Sequence, residues 1–388
     1  MRVVYSSFSG RYSDSPRAIH EALVTTGRPI SHVWEADPLH RQGFPAGVDT
    51  VPAGSPEMVT ALERADVVVS NTHLDLDWEK APGTVYLQTW HGTPLKRIHF
   101  DVRWAPEGRL ERLTRDVRRW DALLSPNHAS TPLLRGAFGH DGEVVESGYP
   151  RNDVLTGPRG AVIRQRLRRE LEIADSTTVV LYTPTWRDDL VRSEGGQDFS
   201  LNLDLDEVNR RLGDDVLVLL RVHYLVSRHL ELAGRPGVVD VSRHPDISDL
   251  YLAADVMVTD YSSTMFDFAV TGKPMIFFTY DLADYRDRLR GLYFDFPSIA
   301  PGPLLETSSD VVDALADLPA LISDHADAYR RFRRTFCHLE DGHATDRVLE
   351  RFFPGAPAST PSPGLWTRPV STGGSRLADP SSRPGTRP

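Results

Sequence analysis

"TVYLQTWHGTPLK", residues 84–96, runs from an apolar, strand-like segment straight into a histidine, a glycine, a threonine and a proline. Its first half has the length and composition of a buried strand. Its second half has the residues of a turn. His91 is therefore expected at the carboxyl end of a strand, where ligands of open α/β sheets bind. An imidazole titrates near neutral pH and can take a proton from an alcohol; it can equally cap a helix or fill a polar niche. Gly92 and Thr93 can turn backbone N–H groups toward an anion.

Runs of the same kind recur on both sides of this stretch. They are "RVVYSS" (2–7), "ADVVVSN" (65–71), "DALLSP" (121–126), "TTVVLYTPTW" (177–186), "DVLVLLRVH" (215–223), "GVVDVS" (237–242), "ADVMVTD" (254–260) and "KPMIFFTYD" (273–281). Helical patterns fall between many of them. "SPRAIHEALVTT" (15–26) opens with a capping serine and a proline in the first turn. "RLERLTRDVRRW" (109–120) places Leu110, Leu113, Val117 and Trp120 on one face. Alternating strand and helix predicts an α/β fold of doubly wound parallel sheets.

The chain has 388 residues, enough for two domains. A turn-rich break at "GYPRND" (148–153) divides it into residues 1–150 and 151–353. Beyond "RFFPG" the sequence turns Pro-, Ser- and Gly-rich without periodicity, so 354–388 reads as a disordered tail. The single cysteine, Cys337, excludes an intramolecular disulfide framework and a cysteine-based zinc site. The N-terminus lacks the basic and apolar regions of a signal peptide, and no window matches a spanning helix of roughly 20 apolar residues. These features fit a cytoplasmic protein whose membrane contact is peripheral. A formal net charge of −10 argues against nucleic acid as a partner.

Three further pieces leave strands at their carboxyl ends, and a fourth lies at the break between the halves. Arg221 and His223 in "RVH" point the same way and would grip a phosphate, or form a surface pair. Ser262 and Ser263 open a helix after Asp260, with Asp267 one turn in; that suits a diphosphate and a ribose hydroxyl, or plain capping. Pro184 and Thr185, with Arg187 beyond them, follow another strand. Arg151 sits at the hinge, where it would cross the cleft or form an interdomain salt bridge. The acidic pairs Asp75/Asp77 and Asp204/Asp206 read as capping and surface acids, and no Walker loop, G-x-G-x-x-G, G-x-S-x-G or H-E-x-x-H is present.

Taken in order, "YSDSPRAIHEAL", "QTWHGTPLK", "GYPRND", "YTPTWRD", "RVH", "VTDYSSTMFDFA", "GKPMIFFTYD", "RGLYFDF" and "EDGHAT" resemble the CDP-glycerol glycerophosphotransferase family of teichoic acid primases and polymerases, across about residues 5–350. The resemblance implies two Rossmann-like domains facing across a cleft, a GT-B-type architecture, with acceptor on the first domain and CDP donor on the second. It implies a metal-independent, membrane-peripheral enzyme with no cofactor. It transfers glycerol phosphate from CDP-glycerol to a hydroxyl of a lipid-linked or glycan acceptor and releases CMP. His91 and His223 match the family's catalytic histidines. Gly92, Thr93, Pro94, Leu95, Arg151, Pro184, Thr185, Arg221, Ser262, Ser263 and Asp267 match its donor-binding set. His343 stands where relatives often have lysine. A long extra N-terminal region, present in some polymerases, is missing, which favours single-unit transfer. The alternatives are CDP-ribitol as donor, or a nucleotide-sugar glycosyltransferase of the same fold.

Overall fold

A computed structural model describes residues 1–102, 108–185, 201–222, 235–285 and 291–355. His223, Arg187 and tail residues 356–388 lie outside the described residues. Two sheets form. The first holds β1 (Arg2–Ser6), β2 (Ser31–Ala36), β3 (Thr50–Pro52), β4 (Val67–Ser70), β5 (Val85–Gln88), β6 (Ala122–Ser125) and β7 (Glu143–Glu146), in the order β3-β2-β1-β4-β5-β6-β7. The second holds β8 (Thr178–Thr183), β9 (Val216–Leu220), β10 (Val238–Asp240), β11 (Val256–Thr259), β12 (Met275–Phe278) and β13 (Leu304–Leu305), in the order β10-β9-β8-β11-β12-β13. The strand pairs of both sheets are parallel.

Helices cover both faces, so the central strands are buried on both sides and read as continuous apolar runs. β4, β6, β11 and β12 are buried at each position. The chain reverses its direction of winding between β1 and β4, and again between β8 and β11. At such a switch point the outgoing loops diverge and leave a crevice. The loops after β1, β4, β5, β8 and β11 therefore carry the candidate site.

Four strands lie outside the runs picked from sequence. β2 starts exposed and becomes buried only from Trp34 onward, and β13 is two residues long. β3 and β7 are edge strands with no fully buried position. None of the four presents a continuous apolar run. The first helix also begins earlier than expected. It starts at Asp14, at φ 61°, with Ser13 as its cap residue; Ser15, read as the cap, sits buried inside the first turn.

Near its end the chain returns to the first sheet. In the helix Ala344–Phe352 and just after it, Val348, Leu349 and Phe353 pack with Val3, Tyr5, Ile19, Trp34 and Val67. The preceding helix, Leu318–Phe336, packs Phe332 and Phe336 into the second sheet's core. The last described residues thus fasten one half of the molecule to the other. Phe353 is fully buried, so Phe353→Ala is expected to cost about 3–5 kcal/mol in denaturant unfolding. Cutting the chain after Gly355 removes none of this core and should leave the midpoint unchanged. A similar loss in both variants would contradict this packing role.

Candidate active site

β5 delivers His91 to the crevice through a strained turn in which Trp90 adopts φ 53°. His91 Nδ1 lies 2.6 Å from the carbonyl oxygen of Asn71, which follows β4. A carbonyl only accepts, so Nδ1 carries the proton and Nε2 keeps its lone pair. Asn71 is fixed in turn: its Oδ1 accepts from the Phe8 N–H at 2.9 Å, and its Nδ2 donates to Ser7 Oγ at 3.2 Å. Three strand ends of the first sheet therefore hold one imidazole. Burial pushes the His91 pKa down, the Asn71 carbonyl and the Asp14 carboxylate oppose that, and Arg151 and His73 press it lower. The net effect keeps His91 neutral at neutral pH, the form a general base needs.

Below this imidazole lies a buried ion cluster. Arg151 Nη1 donates to Asp14 Oδ1 at 3.3 Å, and Arg151 Nη2 donates to Asp267 Oδ2 at 3.0 Å and Oδ1 at 3.1 Å. Asn152 Nδ2 adds a bond to Asp267 Oδ1 at 2.9 Å. The guanidinium also lies 4.1 Å from the centre of the Tyr149 ring. Arg151 thus joins the first helix, the crossover between the sheets and the short helix after β11. Asp267, expected to serve a ribose hydroxyl, has both oxygens engaged by Arg151 and Asn152. Glu340 completes the cluster: it accepts from the Tyr149 N–H at 3.2 Å, and its Oε2 is buried without a partner. Burial, reinforced by Asp267, pushes its pKa up to about 8.

The two halves touch at Gly92. A Cβ there would lie 3.0 Å from Ser263 Oγ, so a larger residue would press directly on the opposite serine. Thr93, Pro94 and Leu95 are buried. Leu95 packs in the second sheet's core with Tyr261 and Met265. Its carbonyl accepts from the Tyr293 N–H at 2.9 Å, and the Arg97 N–H donates to the Gly291 carbonyl at 3.2 Å. The loop after β5 is thereby zipped to residues 291–293, and Leu95 serves packing as much as any ligand.

On the second sheet, Pro184, Thr185, Ser262 and Ser263 line the opposite strand ends, each half-buried. The Thr185 N–H donates to both Asp260 oxygens, at 2.9 and 3.0 Å. Arg221 Nη1 bonds the carbonyls of His244 at 2.9 Å and Val241 at 3.3 Å. No carboxylate forms an ion pair with Arg221 among the described residues; burial pushes its pKa down, and the nearby Asp246 and Asp240 carboxylates oppose that. Lys273, the lysine of "GKP", takes a different part: its Nζ caps the helix Ile247–Ala253 through the carbonyls of Tyr251, Leu252 and Ala254. In "EDGHAT", Asp153 accepts the N–H groups of Ala344 and Thr345, while His343 pairs at the surface with Asp346. Among the described residues no group of three or more His, Cys, Asp or Glu side chains is placed to hold a metal ion.

The structure thus brings His91, Gly92, Arg151, Ser263 and Asp267 to one crevice wall or its base. Sequence reasoning passed over Asp14, Asn71, Asn152 and Glu340. Asp14 and Glu340 stand inside quoted motifs, but no spacing rule ties them to a hinge more than a hundred residues away.

The family model for CDP-glycerol:poly(glycerophosphate) glycerophosphotransferase matches residues 1–354. The teichoic acid glycerol-phosphate transferase of Staphylococcus aureus is 38% identical over 362 residues, covering 90% of this chain and 92% of that protein. The teichoic acid poly(glycerol phosphate) polymerase of Bacillus subtilis is 37% identical over 360 residues, covering 90% of this chain; the chain spans 48% of that relative. A polymerase of the same description from Bacillus spizizenii is matched over 91% of its length, at 35% identity and 90% of this chain, so the missing N-terminal region does not count against a polymerase. The solved structure of the wall teichoic acid polymerase TagF aligns with a TM-score of 0.83 at 34% identity, over 90% of this chain and 88% of that one.

The Glu340 carboxyl has an ordinary value of 4.5 and titrates at about 8 when buried in this cluster. Between those values the folded protein holds a proton that the unfolded chain has lost, so this group makes stability fall as pH rises. Urea unfolding at pH 5 and pH 8 should therefore show a smaller pH-dependent loss in Glu340→Gln than in the wild type. Equal losses would place the Glu340 carboxyl in its ordinary range.

Proposed function

Because the chain belongs to the CDP-glycerol:poly(glycerophosphate) glycerophosphotransferase family, we propose that it transfers glycerol phosphate from CDP-glycerol to a hydroxyl of a lipid-linked or glycan acceptor in teichoic-acid-like polymer synthesis. One observation carries the reading. His91 is tied through Nδ1 to Asn71, which leaves Nε2 as a base, and the next residue, Gly92, meets Ser263 of the opposite half. A proton acceptor thus stands beside a junction suited to a phosphate.

In this reading the acceptor hydroxyl gives its proton to His91 Nε2. Its oxygen attacks the phosphorus that carries glycerol. The bond from that phosphorus to the oxygen of CMP breaks, and CMP leaves with the electron pair. Phosphoryl transfer needs position and charge compensation more than covalent help from the protein. Arg221 and the Ser262–Ser263 turn would provide it. His223 joins them on the family resemblance. Pro184 and Thr185 would join the donor site on the same resemblance. Charge compensation by these groups makes a divalent metal unnecessary to the scheme.

Membrane contact would come from the helix Arg109–Val117 and the residues just after it. Arg109, Arg112, Arg115 and Arg118 are exposed, with the exposed Glu111 interrupting them, whereas Asp116 turns inward to accept from Trp120 Nε1 at 3.0 Å. Phe100, 45% exposed, joins Leu110 and three of these arginines around a shallow concavity of about 670 Å³. No helix among the described residues is long and apolar enough to cross a membrane. Each arginine near an anionic leaflet contributes about 1 kcal/mol, screened by salt. Replacing all four with serine should abolish salt-sensitive sedimentation with anionic liposomes; unchanged sedimentation would remove this surface from the account.

The transferase reading is tested by a donor panel of CDP-glycerol, CDP-ribitol and UDP-sugars, followed through nucleotide release with membrane extract. CDP-glycerol should be preferred, and chelator should leave turnover unchanged. His91→Ala should lower turnover by roughly 10²- to 10⁴-fold while calorimetric affinity for CDP-glycerol persists. Near-normal turnover in a folded His91→Ala protein would contradict the base assignment, and a strict divalent-metal requirement would contradict the metal-free scheme.

A further inference from the structure

The loop between β1 and the first helix is strained where nothing in the fold calls for an aromatic ring. Phe8 and Ser9 adopt φ 45° and 54°, a region that L side chains rarely occupy, and Gly10 follows at φ 118°. The loop is pinned on both sides. The Phe8 N–H donates to Asn71 Oδ1 at 2.9 Å, and a Cβ on Gly10 would lie 2.2 Å from the Asp37 nitrogen. The outcome is a large apolar side chain held 38% exposed, its ring centre 5.4 Å from that of His91. Asn71 holds both residues, one through its side chain and one through its carbonyl.

We propose that Phe8 is the acceptor-side wall of the active site, against which the C–H face of a polyol or sugar acceptor packs while its hydroxyl reaches His91 Nε2. The inference rests on the transferase reading above and adds the acceptor subsite to it. In-line displacement sets attacking and leaving oxygens on opposite sides of the phosphorus. Arg221, Ser262 and Ser263 stand on the second sheet, so CMP departs on that side. The acceptor then enters from the first sheet, past the ring beside the base. An aromatic face suits that position, because it covers C–H groups and leaves hydroxyls free to bond elsewhere.

The test compares wild type, Phe8→Ala and Phe8→Trp with CDP-glycerol and two alkyl glycosides, one ending in a sugar and one in glycerol phosphate. The acceptor that supports CMP release identifies the terminal group the subsite takes. Phe8→Ala should raise the KM for that acceptor roughly tenfold, the scale of one aromatic contact, with calorimetric affinity for CDP-glycerol within about twofold of wild type. Phe8→Trp should keep most of the acceptor affinity. Thermal unfolding checks each variant, and Phe8→Leu removes the ring while keeping bulk should alanine unfold the loop. An unchanged acceptor KM in folded, ring-free protein, or a parallel loss of donor affinity, overturns the inference alone. A wild type that releases no CMP with either acceptor overturns the transferase reading and this inference together.

Discussion

The guanidinium of Arg151 lies at the point where the two halves of the molecule meet, 3% exposed and bonded to carboxylates from both. Asp14 comes from the start of the first helix and Asp267 from the helix after β11. Removing one partner of such a buried group costs about 3–5 kcal/mol, because the charges left behind have no water to turn to. The cluster contains two carboxylates and one guanidinium, and a third ionised carboxyl at Glu340 would add to the excess. Its raised pKa keeps that carboxyl protonated near neutral pH. Asp14 and Arg151 also act on His91 with opposite sign, so the cluster that fixes the hinge sets the field around that imidazole.

The rest of the site follows from joining two doubly wound sheets at this point. Each switch point opens a crevice at its strand ends, and the hinge turns the two crevices toward one another. Gly92 against Ser263 and the pairing of residues 95–97 with 291–293 set how closely they approach. The helix Ala344–Phe352, returning to the first sheet, ties the halves a third time. The proposed base thus belongs to one sheet and the proposed phosphate grip to the other. The family match and the TagF alignment agree with this GT-B-type arrangement.

Much of this was legible in the sequence, because fully buried parallel strands write themselves as short apolar runs. The central strands and the position of His91 at the end of β5 follow from that signal. β2, β3, β7 and β13 carry polar or very short segments, so they wrote no such run. The cluster was hidden for another reason: Asp14 and Asp267 are 137 and 116 residues from Arg151, and no local period reports such contacts. Leu95 and Lys273 mark the limit of motif reading. Both sit in quoted motifs, yet one fills the second core and the other caps a helix, since a motif does not distinguish packing from binding.

His91 stands as a neutral imidazole with its proton on Nδ1, held by the Asn71 carbonyl. Nitrogen-15 NMR of histidine-labelled protein, assigned by comparison with His91→Gln, tests it directly. The expected spectrum shows a protonated Nδ1, an unprotonated Nε2 and a titration midpoint below the ordinary 6.5. A proton on Nε2 at neutral pH, or a midpoint above 6.5, would contradict it.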